Sequence, residues 1–203
     1  IGDAKQESIE MILRAVEAKN AGKIERLFVI GCLSERYADY LREEIPEVDE
    51  YFGARDLSGV VEALKAEYDV KSTERSLSTP KHYAYLKIAE GCDNRCSYCI
   101  IPYLRGKFRS RQMDDVLYEA RLLADNGIKE LIVVAQDTSR YGTDLPGHNR
   151  LLPELLRQMC QIEGLEWIRI HYLYPDEIDD ELIAVIASEP KIVKYLDIPI
   201  QHC

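Results

Sequence analysis

Ile9, Ile12, Leu13 and Val16 fall on one face at helical spacing. Asp3 with Gln6 three residues later resembles a capping box at the start of that helix, and Gly22 ends it. Residues 27–30 form a short continuous apolar run, the mark of a strand buried on both faces. The run ends in Gly31-Cys32, and Ser34 is placed to cap a helix whose apolar side includes Tyr37, Tyr40 and Leu41 and which Pro46 closes. Residues 51–52 predict another short strand and 57–68 a third helix. Together, residues 1–70 read as one α/β unit. Residues 71–81 carry Lys, Ser, Thr, Glu, Arg and Pro with a single Leu, and read as a linker.

After the linker the pattern becomes a regular alternation. Strands are predicted at 83–89, 131–137, 168–174 and 195–200, with helices at 114–126, 151–162 and 177–187; Gly127 sits at the C′ position of the first of these helices. Strict alternation of strand and helix means parallel strands with right-handed crossovers, as an open sheet or a barrel. In a barrel, catalytic groups stand at the C-terminal ends of strands. Cys92, Gln136, Tyr172 and Gln201 all fall at or just beyond such ends. The placement favours a barrel-type active site in residues 82–203.

Composition narrows the class. With 46% hydrophobic and 31% charged residues the chain is globular, not disordered. Its longest apolar runs are far too short to span a membrane, so no membrane role is expected, and no secretory signal is visible. A net charge of −10 makes it a poor nonspecific binder of nucleic acid. The chain begins at Ile1 rather than Met and stops at Cys203 just after a predicted strand, and both ends read as cut from a longer protein.

Three of the six cysteines lie within eight residues, as Cys92-x3-Cys96-x2-Cys99. Without a secretory signal, metal or cluster ligation is favoured over disulfides. Three thiolates leave a tetrahedral zinc one ligand short, and the nearest candidates for the fourth, His82 and Asp93, are poorly placed. Three thiolates do suit a cubane iron–sulfur cluster with one iron left open. Structural packing of the three cysteines is the remaining alternative.

The run from Gly91 through Cys92-Asp93-Asn94-Arg95-Cys96-Ser97-Tyr98-Cys99 to Pro102 resembles the cluster loop of the radical S-adenosylmethionine (SAM) superfamily. The resemblance implies that Cys92, Cys96 and Cys99 hold a [4Fe–4S] cluster whose open iron chelates SAM. An electron from that cluster would cleave the sulfonium to a 5′-deoxyadenosyl radical. It further implies that Tyr98 lies beside the adenine and that Gln136 sits near the SAM amino end. A loop aromatic and a polar residue satisfied by backbone are the plain alternatives for these two. Arg169 and Tyr172 face either the SAM site or the barrel exterior.

Arg105-Gly106-Lys107-Phe108-Arg109-Ser110-Arg111 resembles the methylthiotransferase branch, whose members replace C–H by C–S–CH3 and carry a second [4Fe–4S] cluster in an N-terminal domain. That implies a partial methylthiotransferase domain over 1–70 and a radical SAM partial (β/α) barrel, about four of six units, over 82–203. Cys32 would then be one ligand of the second cluster, its neighbour Gly31 letting the backbone approach closely, with the other two ligands upstream of the chain. A buried structural cysteine is the alternative. Within the branch, Gly2-Asp3-Ala4-Lys5-Gln6-Glu7-Ser8, Ile45-Pro46-Glu47-Val48-Asp49, Ala135-Gln136-Asp137-Thr138, His171-Tyr172-Leu173-Tyr174-Pro175 and Asp197-Ile198-Pro199-Ile200-Gln201-His202 resemble the enzymes that modify an aspartate of ribosomal protein S12. The implied partners are S12, an electron donor and a sulfur donor, in the cytoplasm, with no direct nucleic-acid substrate. Modification of tRNA adenosine is the alternative of the same chemistry, and a non-catalytic iron–sulfur or zinc module the alternative of another class. Arg105, Arg109 and Arg111 are candidates for anionic groups and His171 and His202 for the substrate, against solvated or structural roles. Cys160, at helical spacing with Leu152, Leu155 and Leu156, reads as packing.

Overall fold

A computed structural model describes residues 2–66, 75–147 and 149–199. The chain divides into two units, residues 1–70 with 103–105 and residues 71–102 with 106–203.

In the first unit, helix α1 (Gly2–Asn20) buries Ile12 and Val16. It starts upstream of the expected cap: Asp3 lies inside the first turn, and the Gln6 side chain donates to Glu10 Oε1 (3.1 Å) instead of reaching back. Strand β1 (Phe28–Ile30), helix α2 (Cys32–Glu44) and strand β2 (Glu50–Phe52) form a β-α-β unit whose strands pair in parallel, Val29 opposite Tyr51. Helix α3 (Leu57–Ala63) follows and stops short of the expected end at Tyr68, because Lys65 takes a φ of +56° just after it; Tyr68 itself lies outside the described residues. Leu41, Ile45, Val48 and Tyr51 close the core against Ile12 and Val16. The Tyr51 hydroxyl lies 3.1 Å from the Leu41 carbonyl and 3.0 Å from that of Ile45, which ties β2 to the C-terminal end of α2. The strand expected to be buried on both faces is only half-buried, with Ile30 46% exposed, because a two-stranded sheet covers one face. Ser34 is no cap. Helix α2 begins two residues earlier, and the buried Ser34 hydroxyl lies within hydrogen-bond distance of the Phe52 and Gly31 carbonyls, tying α2 to β2.

The second unit is built on a parallel sheet of β3 (Tyr83–Lys87), β6 (Glu130–Val134) and β7 (Trp167–Ile170), in the order β3-β6-β7. Between β3 and β6 come β4 (Ala89–Glu90), α4 (Ile101–Arg105), β5 (Arg109–Ser110) and α5 (Met113–Asp125). Helix α6 (Leu152–Cys160) joins β6 to β7, and α7 (Asp180–Ser188) follows a 3₁₀ turn at Pro175–Glu177. Alternation along each strand sends Ala84, Leu86, Leu131, Val133, Ile168 and Ile170 into one core. That core includes Val116 and Ala120 of α5, Leu155, Leu156 and Met159 of α6, and Leu182 and Val185 of α7. Full burial of a Leu such as Leu155 contributes about 1.5–3 kcal/mol. Cys160 is part of this core, as its spacing predicts, and burial pushes its thiol pKa up to about 11. The opposite positions, Tyr83, Tyr85, Lys87, Glu130, Ile132, Trp167 and Arg169, line the other face of the sheet.

Two expectations change here. The predicted first strand is two: the chain leaves the main sheet after Lys87, and β4 pairs antiparallel with β5 (Ala89 opposite Ser110, Glu90 opposite Arg109). The predicted fourth strand is not formed at residues 195–199. Instead Ile192 makes a single parallel bridge to Ile168, and Leu173 N–H donates to the Asp197 carbonyl (2.9 Å). Pro199 lacks the N–H a ladder requires. Residues 200–203, with Gln201 and His202, lie outside the described residues.

Candidate functional site

The three-cysteine loop leaves the C-terminal end of β3 and is sealed at its base by the β4–β5 ribbon. Cys92 N–H donates to the Gly106 carbonyl (3.1 Å), and Phe108 N–H to Asp93 Oδ1 (3.2 Å). Gly91 makes that closure sterically possible. Its φ is +81°, and a Cβ there would lie 2.2 Å from the Lys107 carbonyl oxygen. A turn in which Cys99 N–H donates to the Cys96 carbonyl (3.0 Å) links the second and third cysteines. Pro102 then starts α4.

Cys92 is buried, and Cys96 and Cys99 are half-buried. Burial raises the Cys92 thiol pKa; the Asn94 backbone amide opposes this, and the charges of Asp137, Cys99 and Cys96 push it further up. A thiol buried like that of Cys92 becomes a thiolate against a compensating positive centre, which is what an iron–sulfur cluster supplies. Among the described residues no three His, Cys, Asp or Glu side chains converge on a single metal ion. Mononuclear zinc needs its ligands on one point, whereas a cubane puts each thiolate on its own iron. Asp93 is occupied by Phe108, and His82 packs edge-on against Tyr83 at the opposite end of β3. Neither offers a fourth ligand.

Polar groups from the exits of β6 and β7 surround the loop. β6 stops at Val134, three residues short of expectation, so Gln136 and Asp137 stand in the loop beyond it. Gln136 Oε1 is buried and finds no hydrogen-bond partner among the described residues. An orphaned acceptor of this kind is costly unless a ligand donor completes it. Asp137, 2% exposed, accepts from Asn94 Nδ2 (3.1 Å) and from the Ser139 hydroxyl (2.6 Å). The Ser139 hydroxyl oxygen in turn accepts from Tyr174 N–H (3.0 Å). Tyr172 has a φ of +60°, uncommon for a residue with a side chain. Three contacts hold it there. Its N–H donates to Asp197 Oδ2 (3.0 Å), its carbonyl accepts from Thr138 N–H (2.9 Å), and the Thr138 hydroxyl bonds the preceding His171 carbonyl (2.6 Å).

The remaining candidates separate. Tyr98 is largely exposed on the cysteine loop. Arg169 lies on the uncovered face of the sheet, but its Nε donates to Glu130 Oε1 (2.6 Å), which draws the guanidinium toward the N-terminal end of β6. Arg111 is structural: it donates to Glu119 Oε2 (2.6 Å) and to the Lys87 carbonyl (2.8 Å). Glu119, buried on α5, also pairs with Arg75 (3.2 Å). His171 stands 3.8 Å from Asp197. Asn94, Asp137, Ser139, Asp197 and Glu119 were not singled out by spacing. Asp137 and Asp197 did lie inside stretches noted for their resemblance, but nothing local distinguishes a buried acid from a solvated one.

In the other unit, Cys32 opens α2 and is half-buried. It lines a groove of about 430 Å³ with Ser8, Met11, Val29 and Leu33. Gly31 before it has a φ of +139°, and a Cβ there would meet open space. The glycine therefore serves the turn from β1 into α2, not a close backbone approach.

Residues 86–203 match the family profile described as the Radical SAM superfamily. The ribosomal protein uS12 methylthiotransferase RimO of Bacteroides fragilis is 49% identical over 203 residues, covering 100% of this chain and 47% of that protein. RimO of Porphyromonas gingivalis is 49% identical over 100% of this chain and 46% of its own length. RimO of Caldicellulosiruptor saccharolyticus is 46% identical over 218 residues, 100% of this chain and 49% of that protein. The chain thus spans about half the length of the curated relatives it matches. The solved structure of the radical S-adenosylmethionine methyltransferase TsrM from Kitasatospora setae, with cobalamin and a [4Fe–4S] cluster bound, shares the fold. It aligns with a TM-score of 0.63 at 15% identity, over 87% of this chain and 43% of that one.

Proposed function

The chain belongs to the radical SAM superfamily, and from that premise we propose that it is part of a methylthiotransferase acting on ribosomal protein S12. The reaction replaces a hydrogen on the β-carbon of an aspartate with a methylthio group. The observation that carries this reading is the end-to-end match, at 49% identity over all 203 residues, to proteins named for that activity. Family membership implies SAM and a [4Fe–4S] cluster.

The ligands we assign to that cluster are Cys92, Cys96 and Cys99. When bound, it would supply the electron that splits the SAM sulfonium. The chain's own residues hold and shield. Gly91 and the β4–β5 ribbon close the loop, Gln136 Oε1 offers an unused acceptor to the SAM ammonium, and Tyr98 offers an aromatic face to the adenine. Tyr172, on its constrained backbone at the exit of β7, is our remaining candidate for a SAM contact; Arg169, held by Glu130 toward the other end of the sheet, would reach the cofactor only by leaving that pairing. Residues 1–70 make up part of the methylthiotransferase domain, joined through 71–81 to radical SAM residues 82–203, and Cys32 is one ligand of a second [4Fe–4S] cluster. A C–H to C–S–CH3 exchange also consumes a sulfur atom, a methyl group from SAM and an electron, so a sulfur donor and an electron donor are partners. The substrate places the enzyme in the cytoplasm, and no helix among the described residues is long and apolar enough to cross a membrane.

The test supplies anaerobically reconstituted full-length protein with an S12 loop peptide and with unmodified tRNA. Mass gain of one methylthio group on the peptide alone is expected, and gain on the tRNA alone overturns the substrate assignment. A Cys92→Ala, Cys96→Ala, Cys99→Ala variant is expected to lose one cluster by iron and sulfide analysis; retention of all iron overturns the ligand assignment.

A further inference from the structure

The cysteine loop is held from below as well as closed at its base. Asn94 lies between Cys92 and Cys96, and its Nδ2 donates across 43 positions of sequence to Asp137 Oδ2 (3.1 Å). The other Asp137 oxygen accepts from Ser139 (2.6 Å), whose own oxygen receives Tyr174 N–H (3.0 Å). This chain of bonds runs from the loop after β3 through the exit of β6 to the exit of β7. With both oxygens engaged and the residue 2% exposed, Asp137 has no face left for solvent.

We propose that Asp137 is a positioning residue for the cysteine loop, tethering the Asn94 turn to the strand exits and setting a buried carboxylate against the loop that carries the three thiols. The proposal rests on the cluster assignment for its electrostatic part only; the tether stands on the contacts themselves. The field of a carboxylate buried among hydrogen bonds from an amide and a hydroxyl is little screened in a low-dielectric surround. Such a charge disfavours adding an electron to a neighbouring cluster, so it lowers the reduction potential of that cluster. The same tether limits how far the segment 92–96 moves before any cofactor binds.

Full-length protein carrying Asn94→Ala, Asp137→Asn or Asp137→Glu tests both parts. In the metal-free protein, amide exchange at Cys92 and Cys99 is expected to speed up about tenfold in Asn94→Ala, the loss of one charge-assisted hydrogen bond. In the reconstituted protein, EPR-monitored redox titration is expected to show a less negative midpoint for Asp137→Asn. Asp137→Glu restores the parental value and Asn94→Ala leaves it nearly unchanged. Unaltered exchange in Asn94→Ala overturns the tether. An unaltered midpoint in Asp137→Asn, or equal shifts in Asp137→Asn and Asn94→Ala, overturns the electrostatic role. Should Asp137→Asn not fold, Asn94→Ala still decides the tether, and Asp137→Ala, which removes the charge, decides the field: a less negative midpoint supports it and a parental midpoint overturns it. Failure of the parent protein to bind a cluster overturns the ligand assignment instead, and leaves the exchange measurement standing.

Discussion

A Cβ at residue 91 would lie 2.2 Å from the Lys107 carbonyl oxygen and 2.6 Å from that of Gly106, on a backbone with a φ of +81°. Both neighbours are main-chain atoms of the segment that joins α4 to β5, so neither swings aside as a side chain would. Gly91→Ala is therefore expected to cost about 1–3 kcal/mol in backbone strain alone and to open the Cys92–Gly106 hydrogen bond. Urea unfolding of the variant against its parent measures this, and an unchanged midpoint would mean the ribbon relaxes freely. Residue-scale reading of the sequence reached the cysteines and Gln136 because spacing and position after an apolar run identify them. It did not single out Ser139, nor give a role to Asn94 within the loop, since their partners are set by where distant strands end. Ser34 is the reverse case: a good capping residue by type, it is buried inside α2, where its hydroxyl faces the Phe52 carbonyl.

At the scale of elements, caps and breakers placed most boundaries within a few residues. Helix α7 illustrates the mechanism. Pro175 starts a 3₁₀ turn instead of the helix, and the helix begins only after Asp179, whose carboxylate accepts Leu182 N–H (2.8 Å). Asp179→Ala is expected to destabilise the protein by about 0.5–2 kcal/mol, and Asp179→Asn, which keeps the acceptor, by much less. Chemical denaturation of the pair separates the cap from the longer 3.6 Å pairing of Asp179 with Arg150, since equal losses would point to the charge. Helices α5 and α6 follow their apolar spacing closely. The β4–β5 ribbon escaped notice because two residues a side carry no periodicity, and its pairing joins positions twenty residues apart. The fourth strand failed for a related reason: a run of apolar residues says that a segment can be buried, not that a ladder will accept it.

For the whole molecule, charge makes a claim that single residues do not. With a net charge of −10, this chain would be attracted to a basic ribosomal protein, the substrate proposed above, and repelled by tRNA. The association rate of full-length protein with S12 is expected to fall several-fold as salt rises from about 50 to 300 mM, because screening shortens the reach of that attraction. Stopped-flow association across that range checks it, and a salt-independent rate would remove charge from the recognition. Local features of the chain were sufficient to determine the alternation of strands and helices, the parallel sheet that follows from it, and three thiols within one loop. Each depends on residues near one another in sequence, where covalent geometry and helical or strand period limit what neighbours can do. Tertiary structure alone decided which polar groups support that loop. Asp137 meets Asn94 from 43 residues away, Arg75 and Arg111 share the buried Glu119, and Asp197 holds the strained backbone of Tyr172. Those pairings depend on how the packed helices set the strand exits side by side, which no local period encodes.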